Sequence, residues 1–464
     1  MENSRKPRCN KLLERVADAL LPVLPADSTI LLGLSGGVDS VVLLHLLQQL
    51  SPRHSWRLSV LHVHHGISPK ADLWAAFCTD LCARYGVPLQ VEHVDIAPLR
   101  AHGIEAAARK LRHAVFARHP CDFVALAHHA DDQAETLLLQ LLRGAGVRGA
   151  SAMPLLARRA GLPSLLRPLL HCSRQEILDY AAAENLQWVE DESNSDDSYP
   201  RNYLRHRMLP LLSEKFPAYR DTLARSTQHF AEASELLDDL ARLDGAQAIQ
   251  GEILTVTALQ ALSQPRAKNL LRYFLHSLGA PMPQAVQLDD MLHQLCRARE
   301  DAAVCTTYDD WQVRRYQGKV YALHALGEFD QSMVLPWRGE AELDWPALNT
   351  RLRFNRTQGT GISLEKLQCA PVTLRLRCGG ETLRPHPNAA TRTLKNLLQE
   401  HRVPPWQRDR LPLLYCGDEL VCVLGVAIAA GYQATAEEAG GQLSCTYSTA
   451  NTPLAVADRT SKAC

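Results

Sequence analysis

Short apolar runs alternate with helical patterns from Ser28 to about Trp188, and this alternation constrains the fold most strongly. Apolar runs of this length between turn signals are typical of buried strands, and helices between such strands are typical of a parallel sheet. We predict strands at 28–34, 57–65, 89–96 and 123–129, each followed by a helix. The pattern therefore predicts an α/β domain with a parallel sheet at 28–210, preceded by a helical extension at 1–27.

After residue 210 the pattern becomes mainly helical. Apolar residues at i, i+3 and i+4 predict a small helical domain at 211–335, closed by a hairpin at 309–323. Strand-like runs on both sides of a helical segment predict a C-terminal α+β domain at 345–434. Small and polar residues dominate 435–464, which favours a flexible tail. A chain of 464 residues has room for several such domains.

Charge and cysteine content limit the class of protein. Lys+Arg and Asp+Glu both total 50, so a nucleic-acid surface must be a local basic patch. The 13 cysteines include no Cys-x-x-Cys pair, which is typical of reduced thiols rather than a disulfide framework. No apolar run approaches the roughly 20 residues of a membrane span, and no signal-peptide pattern is present. We therefore expect a soluble, cytoplasmic protein with no membrane partner.

A glycine-containing segment, SGGVDS, follows the first predicted strand and opens a helix. Its glycines allow backbone N–H groups to turn inward, and the N-terminus of the following helix attracts anions. The Walker spacing and lysine are missing from it. Two hydroxyls and one carboxylate can hold pyrophosphate and Mg²⁺, with Asp39 as the metal ligand. The candidate ATP-binding residues are Ser35, Gly36, Gly37, Val38, Asp39 and Ser40.

This segment resembles the PP-loop of the ATP pyrophosphatases, which implies that ATP is cleaved between its α and β phosphates. The alternative is an ordinary connection between a strand and a helix, for which glycines alone would be weak support.

Histidines are concentrated in HVHHGIS, at the end of the second predicted strand. A doubly wound sheet places nucleotide-contacting backbone at such a strand end. His62 and His64 share one face of the strand whereas His65 lies on the other, so we do not expect the three to hold one metal ion.

The segment HHADDQAET enters the helix after the fourth predicted strand and places Asp132 and Glu135 on one helical face. Two carboxylates at the mouth of an adenylating site can hold an ammonium group. Asp131 and Asp132 can instead cap the helix and compensate its dipole, and both roles are compatible. On the preceding helix, Arg109 and Arg112 suit either phosphate clamps or a solvated face, and their spacing alone favours the solvated face.

Several further segments stand in a fixed order along the chain together with SGGVDS, HVHHGIS and HHADDQAET. Taken together, the ordered set resembles the tRNA(Ile)-lysidine synthases, over most of the chain except the last twenty or so residues. The segments are SGGVDS, HVHHGIS, EAAARKLRH, HHADDQAET, LLRGAGVRGASAMP, RPLL, WVEDESNSDDSYPRNYLRHRMLP, GGETLRP, TLKNLLQEHRVPPWQRDRLPLLY and LVCVLGVAI.

Two positions depart from the family pattern. The family usually has Asn-His-Gly-Leu-Arg where this chain has His64 to Ser68, and Tyr is common where His113 stands. Any nucleotide contact made by the side chains at 64 and 68 is put in doubt, whereas a contact through the backbone is not.

The resemblance implies a two-step reaction on the wobble cytidine of an isoleucine tRNA with the anticodon CAU. ATP would adenylate the C2 oxygen, and the ε-amino group of free lysine would then attack C2 and expel AMP. The product would be lysidine, which changes decoding from AUG to AUA. AMP is a better leaving group than the urea-like oxygen, so most of the protein's contribution should be positioning and charge stabilisation.

The resemblance also suggests roles for single residues. Asp132 and Glu135 are candidates for the lysine ammonium, and Arg112 for charge on the adenylated intermediate. The predicted catalytic residues are Asp39, Arg112, Asp132, Glu135 and Arg205.

Two local basic patches are candidates for tRNA binding. Between Ser198 and Arg225 there are six basic and two acidic residues, and a second patch lies in the C-terminal domain. Phosphate contacts would set affinity, and a cytidine splayed into the pocket would set base identity. A salt-bridged surface is the alternative for each arginine taken singly. The candidates are Arg201, Asn202, Arg205, Arg207, Arg392, Lys395 and Arg408.

Other functions share parts of this pattern. A PP-loop tRNA thiolase would need reactive cysteines or an iron–sulfur cluster. A small-molecule adenylating ligase would have no evident use for two further basic domains. A nucleotide-binding regulator without chemistry would not need Asp39, Asp132 and Arg112. The sequence leaves the oligomeric state open, with a homodimer as one option.

Overall fold

The computed structural model describes residues 6–96, 104–159, 161–192, 196–299, 302–348 and 350–447. The chain divides into two compact units, Met1–Leu236 and Leu237–Cys464. In the part of the chain that the structure describes, no helix is both long enough and apolar enough to cross a membrane.

A six-stranded sheet with the strand order β3-β2-β1-β4-β6-β5 organises the first unit. All neighbouring pairs are parallel except β5 with β6. The four predicted strands are confirmed as β1 to β4, and the β5–β6 pair extends the sheet. The strands are β1 (Thr29–Gly33), β2 (Arg57–His64), β3 (Leu89–His93), β4 (Phe123–Ala125), β5 (Leu156–Arg159) and β6 (Leu162–Leu166).

Helices cover both faces of this sheet. Side chains alternate along a strand, so Ile30 and Leu32 of β1 pack into one core while Leu31 packs with Val115 and Phe116 into another. The apolar strands thus need cover on both faces, as parallel sheets do. The helices are α1 (Lys6–Leu20), α2 (Val38–Leu50), α3 (Ala71–Tyr85), α4 (Ile104–Arg118), α5 (Ala130–Leu142), α6 (Val147–Ala150), α7 (Arg174–Ala183), α8 (Pro200–Tyr203), α9 (Leu209–Lys215) and α10 (Tyr219–Gly245).

The first helix belongs to the core of the first unit. Leu12, Leu13, Val16 and Leu20 of α1 are buried in the same cluster as the apolar side chains of α2 and α7. The predicted boundary at residue 27 therefore separates no independent core. At the other end, the division between the units falls inside α10, well beyond the predicted boundary at 210.

The first part of the second unit combines helices with an antiparallel sheet of strand order β7-β8-β11-β10-β9. The predicted hairpin at 309–323 is present as β10 and β11. This region is richer in strands than predicted, because β7, β8 and β9 are too short to show a clear alternation. Its elements are β7 (Ile249–Gln250), β8 (Ile253–Thr255), α11 (Val256–Ala261), α12 (Gln264–Ser277), α13 (Ala285–Arg297), β9 (Cys305–Tyr308), β10 (Trp311–Tyr316) and β11 (Lys319–His324).

The C-terminal part of the second unit contains two main sheets, β12-β16-β19-β20-β21 and β13-β14-β22-β15, and a two-stranded β17-β18. They share one apolar core. The elements are β12 (Leu335–Trp337), β13 (Glu342–Trp345), β14 (Thr350–Gln358), β15 (Ile362–Ser363), β16 (Val372–Arg375), β17 (Thr382–Leu383), β18 (Arg392–Thr393), α14 (Leu394–Glu400), α15 (Pro405–Arg408), β19 (Leu413–Cys416), β20 (Glu419–Val423), β21 (Ala427–Ile428) and β22 (Ala439–Tyr447).

The predicted flexible tail is wrong for residues 439–447. They form β22, which pairs antiparallel with the whole length of β14. The small residues that suggested a tail are required by close packing: a Cβ on Gly440 would lie 1.9 Å from the carbonyl oxygen of Thr360. The remainder of the predicted tail, 448–464, lies outside the described residues.

Candidate active site

The carboxyl ends of the parallel strands β1, β2, β4 and β6 lie along one edge of the first sheet. Open α/β sheets bind ligands at this edge. SGGVDS follows β1, His65 follows β2, His128 comes shortly after β4, and Arg167 follows β6 directly. The candidate active site is therefore assembled from several connections rather than from one motif.

The loop after β1 is shaped by its glycines and hydroxyls. Gly36 has a φ of +88°, and a Cβ there would lie 2.8 Å from Cγ2 of Val189, so both conformation and packing require glycine. The hydroxyl of Ser40 donates to the Gly37 carbonyl at 2.9 Å and lies 3.1 Å from the hydroxyl of Ser35. Helix α2 begins at Val38, so its positive end faces this loop, as an anion site requires.

Asp39, in the first turn of α2, has a carboxylate oxygen that the protein leaves unsatisfied. Oδ1 is buried and has no hydrogen-bond partner among the residues that the structure describes. Nε2 of His129 is 3.7 Å away, too far for a hydrogen bond. Burial raises the pKa of Asp39, and the neighbouring His129 partly opposes that rise. A buried acceptor without a donor is costly, which marks this oxygen as a ligand-binding atom.

The surroundings of Asp39 fit a metal that is shared with a substrate. Within the described ranges, no group of three or more His, Cys, Asp or Glu side chains could hold a metal ion alone. Mg²⁺ is usually bound by one or two carboxylates together with substrate phosphates and water. Asp39 beside a phosphate-binding loop matches that donor set.

Helix α5 begins with a cap from the side chain of Asp132. His129 is the N-cap, and its backbone N–H donates to Oδ2 of Asp132 at 2.9 Å. The capping role predicted for Asp132 is thus present. Asp131 accepts from the backbone N–H of Arg174 and pairs with Arg220. Asp131 therefore ties α5 to the starts of α7 and α10.

The other carboxylates of α5 are neutralised by two arginines. Arg201 donates through Nε to Glu135 at 2.6 Å and through Nη2 to Asp132 at 2.9 Å. Arg205 grips Glu135 with Nε at 2.7 Å and Nη2 at 3.0 Å. Burial opposes the charged form of both arginines, but the carboxylates outweigh burial and raise the pKa of each. We call Asp131, Asp132, Glu135, Arg201, Arg205 and Arg220 the ion-pair cluster.

A widened helical turn places these two arginines. Residues Leu204–Met208 form a π-helical turn between α8 and α9. Pro210 lacks a backbone N–H and its ring would clash with the carbonyl of the preceding turn of a regular helix, which accounts for the widening. Arg201 and Arg205 lie one turn apart and reach the same two carboxylates.

One predicted role does not fit this arrangement. Glu135 is 0 % exposed, and both of its oxygens accept from guanidinium groups. A direct contact between Glu135 and a lysine ammonium is therefore corrected to a positioning role for Glu135 through Arg201 and Arg205. Asp132 has an 11 % exposed side chain and lies beside His129, between Glu135 and Asp39.

The predicted RNA-binding residues of the first unit differ in exposure. Arg201 and Arg205 are largely buried and bind carboxylates. Asn202 donates to the Asp196 carbonyl. Arg207 pairs with Asp197, and its side chain is 68 % exposed. Of this group, Arg207 is thus the side chain most open to a large ligand.

In the second unit, Arg392 and Lys395 lie on the surface near the start of α14, and Arg392 pairs with Glu400. Arg408 instead donates to the Val403 carbonyl at 2.9 Å and to the Tyr316 hydroxyl at 3.0 Å. Arg408 therefore joins α15 to β10 and is less available to RNA than its position in the sequence suggested.

Arg112 and the histidines lie on the α4 side of the edge. Arg112 is exposed on α4. After burial, its positive charge is the next cause that lowers the pKa of His65 to about 4. His62 contacts the Leu34 carbonyl at 2.8 Å and His64 contacts Asp72 at 3.1 Å. His62 and His64 thus have separate partners, whereas Nδ1 of His65 is buried without a hydrogen-bond partner among the described residues.

Sequence reasoning gave no role to His128, His129, Arg167 or Arg220. His129 lies between Asp39 and Asp132, and Arg220 reaches Asp131 from far along the chain. The two histidines before the aspartates were a visible signal. For Arg167 the signal was weak, because RPLL reads as an ordinary apolar segment with one cation.

Three family models match the chain. A PP-loop domain matches residues 6–212, a TilS substrate binding domain matches 254–321, and a TilS substrate C-terminal domain matches 372–445.

Curated relatives are similar over nearly the whole chain. The tRNA(Ile)-lysidine synthase of Nitrosomonas europaea is 43% identical over 413 residues, which cover 89% of this chain and 90% of the relative. That of Coxiella burnetii is 40% identical and covers 90% and 94%, respectively. That of Azoarcus sp. is 41% identical and covers 88% and 89%.

Proposed function

Because the chain belongs to the tRNA(Ile)-lysidine synthase family, we propose that it ligates free lysine to C2 of the wobble cytidine in an isoleucine tRNA with the anticodon CAU. The C2 oxygen attacks the α-phosphorus of ATP and pyrophosphate leaves. The lysine ε-amino group then attacks C2, AMP leaves, and the product is lysidine.

The observation that carries this proposal is the unsatisfied Oδ1 of Asp39 beside the glycine loop. The loop from Ser35 to Ser40 and the first turn of α2 bind the pyrophosphate part of ATP through backbone N–H groups and hydroxyls. A Mg²⁺ held by Asp39 would offset the negative charge of the phosphates. The protein thereby orients the bond between the α and β phosphates.

The ion-pair cluster positions the second substrate. A carboxylate has roughly four lone-pair sites, so Asp132 can accept a further donor beside Arg201, Arg205 and the His129 N–H. We assign the lysine ammonium to Asp132, and Glu135 holds the arginines in place. Arg205 lies near enough to Asp39 for their charges to influence each other, and it compensates charge beside the reacting phosphate. Arg112 does the same for the adenylated cytidine from the α4 side.

RNA binding completes the proposal. Arg207, Arg392 and Lys395 are exposed and contact tRNA phosphates, while Arg201, Asn202, Arg205 and Arg408 support the surfaces that carry them. The reaction takes place in the cytoplasm. A homodimer is the assembly to test by sedimentation at micromolar protein concentration.

The cysteines argue against a thiolase. A nucleophilic cysteine needs a lowered pKa. Burial raises the pKa of Cys78 to about 12 and that of Cys172 to about 11. These are cysteines close to the candidate active site, and their chemistry is that of packed, unreactive thiols.

The test is incubation of the protein with labelled lysine, ATP, Mg²⁺ and a tRNA transcript. One arm uses an isoleucine tRNA with the CAU anticodon, and the other uses the methionine tRNA with the same anticodon. Mild alkaline treatment removes lysine bound as an aminoacyl ester. We expect stable label in the isoleucine tRNA alone. Pyrophosphate release without stable label in either tRNA would contradict lysidine formation.

A further inference from the structure

Arg167 is a buried cation in the first unit that none of the proposed steps uses. It follows β6 directly and lies next to the end of β4, where Leu126 donates to the Leu166 carbonyl. The residue is 6 % exposed. Its Nη1 donates to the Pro154 carbonyl at 2.9 Å, whereas its Nε is buried and has no partner in the described part of the chain.

The neighbouring charges that shift the pKa of Arg167 are positive. Burial is the largest cause that lowers the pKa of Arg167 to about 10, and the charges of Arg109 and Arg159 lower it further. After burial, the same three arginines contribute to lowering the pKa of His113 to about 4. We call Arg109, Arg159 and Arg167, with His113 and His128, the basic cluster.

This basic cluster borders the active site. Burial lowers the pKa of His128, the charge of Asp132 opposes this, and the charges of Arg167, Arg201 and Arg109 lower the pKa further. It is also the residue before His129, which lies between Asp39 and Asp132. Arg167 follows β6, which lies on the far side of β4 from β1 and its glycine loop, and His128 directly precedes His129 of the candidate active site.

A buried guanidinium with an unused donor and positive neighbours lacks the compensation that buried charges normally have. A phosphate oxygen supplies both the negative charge and the acceptor, and the planar guanidinium suits it well. The arginines of the ion-pair cluster already have carboxylates and need no such ligand.

Resting on the proposed function, we infer that Arg167, with Arg109 and Arg159, forms a second phosphate subsite beside the active centre, separate from the glycine loop. Its ligand is a phosphate group of a bound substrate. Two sources carry that chemistry: the tRNA backbone next to the target cytidine, and the α-phosphate of the nucleotide.

The test compares Arg167→Met with Arg158→Met. Arg158 is an exposed neighbour on β5, so its substitution removes the same charge without altering the buried cluster. Equilibrium binding of ATP and of the isoleucine tRNA is measured separately for the full chain, the tRNA arm at several KCl concentrations. Unfolding by urea reports whether each variant is folded.

We expect Arg167→Met to weaken one of the two ligands by about 10- to 100-fold, the range typical of a hydrogen bond to a charged group. Loss in the tRNA arm, with a salt slope reduced by about one, assigns the subsite to the RNA backbone. Loss in the ATP arm assigns it to the nucleotide. Arg167→Lys keeps the positive charge but not the planar guanidinium. We expect its affinity for the same ligand to fall several-fold.

If Arg167→Met and Arg167→Lys both bind ATP and the isoleucine tRNA with wild-type affinity, the proposed phosphate subsite is wrong. Arg167 then has a structural role only. The Lys variant also covers the case in which the Met variant does not fold. The labelled-lysine assay on the wild type runs in parallel. A failure there contradicts the proposed function, whereas the two binding arms still decide the subsite.

Discussion

Arg205 and Arg167 are both largely buried arginines near the carboxyl edge of the same sheet, but their surroundings differ. Arg205 grips Glu135 with two nitrogens and lies close to Asp132. Arg167 has one carbonyl acceptor and positive neighbours. The Oδ1 of Asp39 resembles the Nε of Arg167, because neither atom has a hydrogen-bond partner in the described structure. Charges that the protein neutralises itself hold the site together, whereas charges left open are offered to substrates.

The largest effect is expected for an open charge. Asp39→Ala should reduce both pyrophosphate release and lysine incorporation by at least about 10³-fold, because it removes the group that faces the phosphates. Its free energy of unfolding should stay near that of the wild type, since Oδ1 has no partner within the described residues to lose. Kinetics and urea unfolding of the same preparation check this. A loss in the free energy of unfolding as large as the loss in transition-state stabilisation would contradict the distinction between neutralised and open charges.

Removal of a charge that the protein neutralises itself should instead lower the free energy of unfolding. Glu135→Ala leaves two buried guanidinium groups without their main partner, and the free energy of unfolding should fall by about 3 to 5 kcal/mol. Arg207→Ala, which breaks the exposed pair with Asp197, is the control and should leave the free energy of unfolding nearly unchanged. Equal losses in the two variants would show that Glu135 does not carry the cluster.

Asp132 belongs to both categories, because it pairs with Arg201 and also lies near Asp39. We expect Asp132→Ala to raise the KM for lysine by about tenfold, the worth of one charge-assisted hydrogen bond, while adenylated tRNA still forms. Thin-layer separation of adenylated RNA, with lysine titrated, checks this. If Asp132→Ala and Asp39→Ala lose adenylation equally, the assignment of lysine to Asp132 is wrong.

The basic cluster predicts a smaller, pH-dependent effect. Burial lowers the pKa of His128 to about 3, below its unfolded value near 6.5. The unfolded chain then binds a proton that the folded chain does not, so stability falls as pH drops from about 6.5 toward 3. His128 is largely buried, and we expect a loss on the order of 1 kcal/mol between pH 7 and pH 5 from this single proton. His128→Asn should abolish that part, and exposed His229→Asn should not; urea unfolding at both pH values checks this.

The predictable parts of the molecule are those encoded locally. The apolar runs of β1 to β4 are contiguous, and the fold class predicted from them is confirmed. The family predicted from the ordered set of segments is confirmed as well. What was missed depends on long-range contacts. The sequence shows Glu135 as one of two acidic residues on a helical face, and only folding brings Arg201 and Arg205 onto it. The pairing of Asp131 with Arg220 was invisible for the same reason.

The strand β22 was missed for a different reason. Its one alanine and two glycines have low strand propensity, but Gly440 allows close backbone packing beside the Thr360 carbonyl while β22 pairs with β14. Composition describes side chains, so it gave no sign of a strand held by its backbone.

The pairing of β14 with β22 also determines when β14 is covered during synthesis of the chain. β14 leaves the ribosome well before β22, and until residue 447 follows, the side of its nine-residue backbone that pairs with β22 lacks that partner strand. An uncovered strand edge of that length is a template for pairing with other chains. A ribosome that stalls between these two strands would therefore display an adhesive polypeptide, and a premature stop codon ahead of β22 would release one.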